Sequence, residues 1–295
     1  MSTSSEPRDL ARDSAVSRIR VAPGWYTAEL PPDWNFATPS GGVLMTVAMR
    51  AMAEELADPD LRPLSANTHF CSPVPAGPLE IRVEILRHGN AAAQIRAQLS
   101  STIMPGPGLE VSATFGRTRE SIDMIDVVPP DLPSADEAPA IGPATPSDDP
   151  DLPQFMLNFD SRLARGNAWW RDGWEPGEAR LSRWFRYKVP QRCRDGNFDP
   201  FALPPIADTM PPAIIQKLGP NHPPFRAPSL DLTLHFLEDT SSQWILTDVH
   251  AIRARGGFAT ADIRLWDDGG RLLATGTQMM ILRSGRPTSP SRPMF

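Results

Sequence analysis

The tripeptides Thr68-His69-Phe70 and Leu234-His235-Phe236 lie 166 residues apart and mark the same place in two similar halves of the chain. An arginine follows the phenylalanine after 17 residues in both halves, Arg87 in the first and Arg253 in the second. Both arginines are close to glycine, and an alternating, strand-like run follows each of them. The two halves therefore read as diverged copies of one structural unit.

Equivalent positions of the two copies differ in polarity. Gly42 aligns with Asp208 at the same spacing of 166 residues, and Phe115 aligns with Gln278 at a spacing of 163. One copy thus has Gly and Phe where the other has Asp and Gln. This asymmetry indicates that the second half has kept a polar site and the first half only the scaffold.

Composition and charge exclude several classes of protein. The chain has 295 residues, enough for two units, and its net charge of −6 argues against a general nucleic-acid binder. Two cysteines without CxxC spacing favour a reducing compartment. Residues 1–18 have no apolar signal core, and no apolar run approaches the roughly 20 residues that span a bilayer. We expect a cytoplasmic protein with no membrane insertion.

Each copy contains a predicted strand, then one predicted helix and four further predicted strands. The first strands are expected at Trp25-Tyr26-Thr27 and from Trp184-Phe185-Arg186-Tyr187. The first helix covers Val43 to Leu56 with Ser40 as its N-cap, and the second covers Asp208 to Leu218 with Pro211-Pro212 distorting its start. The strands are expected at 64–73, 78–88, 91–104 and 109–119, and at 229–237, 243–254, 258–267 and 271–283. Helices do not alternate with strands, so the pattern predicts an α+β fold with a helix covered by antiparallel sheet in each unit.

The chain divides into five predicted segments. The 34 prolines are roughly twice the usual share, and many of them lie in connections. Four tryptophans crowd into residues 169–184, which we interpret as packing rather than as a ligand face. The segments are a flexible N-terminal segment (1–20), a first unit (21–119), a Pro-rich and Trp-rich connection (120–179), a second unit (180–283) and a C-terminal tail (284–295).

Several short motifs together resemble one family. In the first half they are Ser40-Gly41-Gly42, Phe70 to Pro78 and Arg87-His88-Gly89, and in the second Ala207-Asp208, Ser229 to Phe236, Gly257-Phe258 and Gly270 through Gln278. These segments are similar to the acyl-CoA thioesterase II family, the bacterial TesB-like double hotdog thioesterases. The resemblance covers about 20–119 and 180–283 and implies a double hotdog fold, two tandem units each with a central helix wrapped by an antiparallel sheet.

The resemblance also implies a catalytic set, which falls on Asp208, Ser229 and Gln278. Ser229 stands where close relatives often carry Thr, and both residues offer a hydroxyl. A role for Thr233, further along what reads as the same strand face, stays open. We expect Asp208 at the start of the second helix, where backbone N–H groups would polarise a thioester carbonyl. Asp208 would be a general base for water or a nucleophile, while its alternative reading is a simple helix cap.

Further candidates concern the substrate. Thr209, Met210, Gly257 and Arg253 are expected to bind it, with Met210 lining the acyl slot. Arg253, together with Arg255 and Arg226, would face the phosphates of CoA. The five histidines show no ligand-like pairing, so we expect no metal. No GxGxxG or Walker loop is present, and we expect no cofactor.

Three functions remain open at this stage. The first is an acyl-CoA thioesterase that hydrolyses acyl-CoA to a free fatty or related acid and CoA. The second is a non-catalytic acyl-CoA-binding hotdog protein, and the third is a hotdog hydratase, which would need a histidine near the thioester. Exposed sheet edges are also consistent with a homodimer or a higher homo-oligomer.

Overall fold

A computed structural model of the chain describes residues 6–141, 153–171 and 173–284. The predicted N-terminal segment, connection and C-terminal tail include residues 1–5, 142–152, 172 and 285–295, which lie outside the described residues.

Twelve strands of the described residues form one continuous antiparallel sheet, six from each half of the chain. The first half supplies β1 (Ser17–Arg18), β2 (Trp25–Leu30), β3 (Arg62–Phe70), β4 (Gly77–His88), β5 (Ala92–Ser101) and β6 (Leu109–Gly116), in the order β1-β2-β4-β5-β6-β3. The second half supplies β7 (Phe159–Arg165), β8 (Arg180–Tyr187), β10 (Ser229–Phe236), β11 (Ile245–Arg255), β12 (Phe258–Asp267) and β13 (Leu272–Ile281), in the order β10-β13-β12-β11-β8-β7. A separate pair is formed by β9 (Phe225–Arg226) and β14 (Arg283–Ser284). The predicted strands of both units are confirmed, with ends that differ by a few residues.

The two halves join where β3 pairs with β10. The strands run antiparallel, and Asn67 lies directly opposite Thr233, its counterpart 166 residues later. The Asn67 side-chain amide donates a hydrogen bond to the Thr233 hydroxyl at 2.6 Å. Equivalent positions of the two copies thus meet at the junction, as expected where two similar units face each other across a two-fold axis.

The helix of the first unit, α2 (Gly41–Leu56), is almost wholly buried. It packs against β4, β5 and β6, and its methionines and valines fill the space beneath them. Ser40 occupies the N-cap position as predicted, but its side chain makes no capping bond to the helix. This hydroxyl is therefore free to face the second unit.

The helix of the second unit is broken, which corrects the single helix expected over Asp208 to Leu218. A short helix α3 (Leu203–Ala207) ends at Asp208, and α4 (Pro212–Leu218) begins after Pro211. Pro211 and Pro212 have no backbone N–H, so the carbonyl groups four residues earlier lose their helical donors and the helix cannot continue. Asp208 consequently lies at the end of α3 rather than at the start of a helix.

The part of the predicted flexible N-terminal segment that the structure describes, residues 6–20, contains a short helix and the strand β1, although many of its side chains are exposed. The short helix α1 (Leu10–Asp13) places Leu10 fully inside the core. The Asp13 carboxylate accepts hydrogen bonds from the Trp34 indole at 3.0 Å and from the Arg8 guanidinium at 2.9 Å. One buried leucine and one buried carboxylate thus anchor an otherwise polar segment.

The connection between the units is also partly structured. It supplies β7, which pairs with β8 at the edge of the sheet. Further upstream, Ala135 and Ala138 pack against Trp184 and Trp266 on the second unit, and the Trp184 indole donates to the Pro133 carbonyl at 2.9 Å. The proline-rich stretch is therefore fixed over the sheet in this region, and Trp184 acts in packing as predicted.

No helix among the described residues is long and apolar enough to span a membrane.

Candidate active site

The Asp208 carboxylate receives four hydrogen bonds from three elements of the fold: β10, β13 and the start of α2. Its Oδ1 accepts from the Ser229 hydroxyl at 2.9 Å and from the Gln278 amide nitrogen at 2.6 Å. Its Oδ2 accepts from the Gly42 backbone N–H at 2.9 Å and from the Ser40 hydroxyl at 3.2 Å. The structure therefore brings the three predicted catalytic residues together and adds two groups from the first unit.

The donor from Gly42 belongs to the N-terminus of α2, the helix of the other unit. A carboxylate is favoured there because the first N–H groups of a helix have no intrahelical partner and carry a partial positive charge. Asp208 thus caps a helix, as its alternative reading held, but the helix is that of the first unit rather than its own.

Gly41 and Gly42 allow the two helices to approach this closely. A Cβ on Gly42 would lie 2.2 Å from the Pro204 carbonyl oxygen, and one on Gly41 would lie 2.6 Å from the Phe70 ring and 3.1 Å from Asp208 Oδ2. Any larger residue at position 42 would push α3 away from α2. The glycine of the first copy is therefore part of the site, although the sequence analysis assigned it to the scaffold.

Ser229 reaches the site because of a β-bulge. Ser229 lies opposite Met280, whereas Asp231 lies opposite Met279, so one residue of β10 is left without a partner. The bulge turns Ser229 to the face of the sheet that Gln278 occupies, and Thr233, opposite Thr277, faces the other way. The hydroxyl of Thr233 is hydrogen-bonded to Asn67 and takes no part in the Asp208 network.

The polar groups of the Gln278 and Ser229 side chains all form hydrogen bonds, except for one acceptor. The Gln278 amide group donates to Asp208 and, at 2.7 Å, to the Ser229 oxygen, while the Ser229 hydroxyl donates to Asp208. Gln278 is 1% exposed, and its Oε1 is buried without a hydrogen-bond partner among the described residues. One acceptor beside the carboxylate is thus available for a further hydrogen bond.

Burial raises the pKa of Asp208 above the ordinary value of an aspartate, since it disfavours the charged form. The hydrogen bonds from Gly42, Ser229, Gln278 and Ser40 act in the opposite direction and lower the pKa. The net shift is upward, so the carboxylate is a stronger base than an exposed aspartate. Four donors around it nevertheless favour its ionised form.

Arg183 holds the residue that follows Asp208. Its guanidinium donates to the Thr209 carbonyl at 2.7 Å and lies against the rings of Trp169 and Phe185. Burial lowers the pKa of Arg183 to about 9, which leaves the group protonated at neutral pH. The broken helix leaves carbonyl groups without helical donors, and Arg183 satisfies one of them next to the carboxylate.

The four predicted substrate-binding residues lie outside this network. The Thr209 hydroxyl donates to the Ile206 carbonyl at 2.8 Å, and Met210 is fully buried in the core. Gly257 lies in the turn between β11 and β12, and Arg253 is exposed near the end of β11. No hydrogen bond among the described residues joins any of the four to Asp208, and their role in binding stays a prediction.

Ser40 and Gly42 contact Asp208 but were not predicted as site residues from the sequence. The signal was the spacing of 166 residues that aligns Gly42 with Asp208. Asn67 and Thr233, another equivalent pair, also meet. A two-fold relation between the copies brings equivalent residues together near its axis, and Gly42 and Asp208 are such a pair.

Comparison with known families agrees with this architecture. The acyl-CoA thioesterase N-terminal domain matches residues 30–116, and the acyl-CoA thioesterase C-terminal domain matches residues 129–282. The chain belongs to the acyl-CoA thioesterase family. Its C-terminal domain includes the stretch of the connection that packs on Trp184 and Trp266. No curated protein matches the chain.

Solved structures of similar proteins share the fold over nearly the whole chain. A hotdog-fold protein from Alicyclobacillus acidocaldarius is 20% identical with a TM-score of 0.76, covering 94% of this chain and 98% of its own. A protein from Novosphingobium aromaticivorans assigned as a thioesterase is 25% identical with a TM-score of 0.73, covering 90% and 98%. The acyl-CoA thioesterase II of Mycobacterium marinum is 21% identical with a TM-score of 0.68, covering 94% and 99%. The predicted α+β double hotdog fold is confirmed.

Proposed function

We propose that this protein hydrolyses acyl-CoA to a free acid and CoA by means of a water molecule that Asp208 activates. The observation that carries the proposal is the buried Asp208 carboxylate, held by Ser229, Gln278 and Gly42 with one unused acceptor, Gln278 Oε1, beside it. A hydrolytic water needs a base to take its proton and a second acceptor to fix its orientation. The Asp208 carboxylate and the Gln278 oxygen supply these two groups.

The proposed reaction begins with the water at the edge of the carboxylate. Its approach displaces the Ser40 hydroxyl, whose hydrogen bond of 3.2 Å is the longest of the four to Asp208. One water hydrogen points to Gln278 Oε1 and the other to Asp208, which takes this proton as the oxygen attacks the thioester carbon. The carbon–sulfur bond then breaks, and the proton passes from Asp208 to the departing thiolate of CoA.

The developing oxyanion requires donors at the carbonyl oxygen. The N-terminus of α2 offers them, as the sequence analysis expected of a helix start, but the helix belongs to the first unit. Gly42 uses its N–H on Asp208, whereas the Gly41 N–H has no acceptor among the described residues. We assign the Gly41 N–H to the thioester oxygen, in a position where the helix dipole also favours negative charge.

A covalent route, in which Asp208 itself attacks the thioester, is the mechanistic alternative. It forms a mixed anhydride on Asp208 and adds the mass of the acyl group to the protein. Acid-quenched single turnovers analysed by intact mass spectrometry separate the two routes. Activation of water predicts an unmodified protein at every time point, and a transient acyl adduct contradicts it.

The test of the function itself is release of CoA from saturated acyl-CoAs of short, medium and long chain. Turnover of at least one of them supports the thioesterase. Tight binding without release on any chain length contradicts it and leaves an acyl-CoA-binding protein. Hydration of an enoyl-CoA without release of CoA would instead indicate a hydratase. The cytoplasmic location and the homodimer expected from the sequence stay predictions.

A further inference from the structure

Two arginines lie opposite each other just beyond the start of β10 and the end of β13, the strands that carry Ser229 and Gln278. Arg226 on β9 lies directly opposite Arg283 on β14, and the Ile281 N–H donates to the Pro228 carbonyl at 3.0 Å between this pair and the ladder of β10 and β13. Arg226 precedes Ser229 by three residues, a distance of roughly 10 Å along an extended chain. The arginine pair therefore continues the strands that carry Ser229 and Gln278.

The pairing of Arg226 with Arg283 is unfavourable unless a negatively charged group neutralises the two side chains. Like charges directly opposite each other in a sheet repel, and both arginines are exposed. Neither forms an ion pair with a carboxylate of the described residues, whereas Arg62, Arg96 and Arg186 each do. The whole chain carries a net charge of −6, so this local excess of positive charge runs against its composition.

A third arginine lies at the same end of the sheet. The Leu282 N–H donates to the Gly257 carbonyl at 2.7 Å, which brings the turn between β11 and β12 next to the residue before Arg283. Arg255 enters this turn and lies opposite Phe258, a ring that is 46% exposed. Three arginines and one exposed phenylalanine thus lie at the same end of the ladder formed by β10 and β13.

We propose that Arg226, Arg283 and Arg255 bind the phosphates of the CoA part of the substrate, with the exposed Phe258 ring offered to the adenine base. Guanidinium groups match phosphate oxygens in geometry and charge, and aromatic rings stack on bases. The pantetheine arm of CoA separates the thioester from the phosphates, as the strand ladder separates Asp208 from the arginines. This assignment rests on the proposed function. It also gives Gly257 an indirect role in substrate binding, because Gly257 lies in the turn that positions Arg255.

The test compares two thioesters of the same acyl group, one on CoA and one on pantetheine, which lacks the nucleotide. The variant is R226A/R283A. Its control is R264A/R271A, which removes the same charge from two exposed arginines elsewhere on β12 and before β13, neither of which pairs with a carboxylate of the described residues. We expect kcat/KM for acyl-CoA to fall about tenfold or more in R226A/R283A, within the range of electrostatic steering. Hydrolysis of acyl-pantetheine should stay unchanged in both variants.

Salt provides an independent readout. We expect kcat/KM of the native protein for acyl-CoA to decline with ionic strength, and this decline to be weaker in R226A/R283A. An unchanged kcat/KM for acyl-CoA in R226A/R283A, or an equal loss on both thioesters, would overturn the proposal. The proposal would also be overturned if the native protein preferred acyl groups on acyl carrier protein and R226A/R283A hydrolysed acyl-CoA as well as the native protein does.

Failure of the proposed function is a separate outcome. If the native protein hydrolyses neither thioester, the thioesterase assignment fails, and calorimetric titration with CoA then tests the arginines alone. Weaker binding of CoA to R226A/R283A than to R264A/R271A supports the phosphate site. Equal binding to the two variants contradicts it.

Discussion

Gly42 donates its backbone N–H to the carboxylate of Asp208 at 2.9 Å, and the two residues hold equivalent positions in the two halves of the chain. One copy therefore supplies the acid and the other the helix end that binds it. The contact explains why the duplicated unit diverged in this way. A second aspartate at position 42 would remove the glycine that lets the helices meet and place two carboxylates together.

Replacing Gly42 with alanine should damage both stability and activity. The new Cβ would lie 2.2 Å from the backbone oxygen of Pro204, so α3 must move. Overpacking of this kind costs about 1–3 kcal/mol and outweighs the gain of up to about 1 kcal/mol from helix propensity. We expect a melting temperature lower by a few degrees and a reduced kcat. The matched control is Gly177→Ala, where a Cβ meets no atom within 4 Å, and an equal effect of both variants would refute the close-approach argument.

Substitutions of Ser229 test whether its hydroxyl group or its packing is needed for activity. Ser229→Ala removes a hydrogen bond to a charged carboxylate, which is worth about 1.5–3 kcal/mol, so kcat should fall by roughly tenfold or more. Ser229→Thr keeps the hydroxyl and should retain most of the activity. Steady-state kinetics on one acyl-CoA measures both. A Thr variant as impaired as the Ala variant would show that position 229 acts through packing.

The pH dependence of kcat should report on the carboxylate. Burial raises the pKa of Asp208, and the proposed base works only when ionised. Activity should therefore fall as the pH drops through a pKa above the ordinary aspartate value of about 3.9. A raised pKa also means that the folded state favours the protonated form. The contribution of Asp208 to stability is thus fully present below the ordinary pKa and lost as the pH rises through the shifted one.

A profile of kcat against pH, with chemical denaturation at the same pH values, measures both effects. An acid limb at or below the ordinary value would contradict the burial argument.

Gln278→Glu changes charge with little change of shape. It replaces the two N–H donors of Gln278 by a second carboxylate beside Asp208 Oδ1. Two carboxylates in contact raise the pKa of one of them, so the acid limb of kcat should move to higher pH and kcat at neutral pH should drop. The control is Gln98→Glu, an exposed glutamine on β5. An unchanged acid limb would remove Gln278 from the immediate surroundings of the base.

The sequence predicted the fold and the three members of the second-unit site because both leave local patterns. The strands alternate between apolar and polar residues, and Asp208, Ser229 and Gln278 stand in motifs that resemble the family. The residues of the first unit were missed, because Ser40 and Gly42 act through contacts across 168 and 166 residues. Only the two-fold relation between the copies connects them to Asp208.

Two local features also escaped the sequence analysis. The alternation of Ser229 to Phe236 reads as a regular strand, and the bulge beside Ser229 follows from its pairing with β13 rather than from its own pattern. The prolines after Asp208 indicated a distorted helix start, yet their effect is a full break that the Arg183 side chain helps to hold. Both features depend on partners distant in sequence, which periodicity does not reveal.

Asp208→Asn removes the group that we propose activates water for thioester hydrolysis. Release of CoA from the best acyl-CoA substrate is measured for the native protein, for this variant and for Asp262→Asn, which changes an exposed aspartate on β12. Because a general base is removed, we expect a loss of at least about 100-fold in Asp208→Asn and native activity in the control. Turnover that survives in Asp208→Asn would show that Asp208 is not the base, whatever the fold and the family.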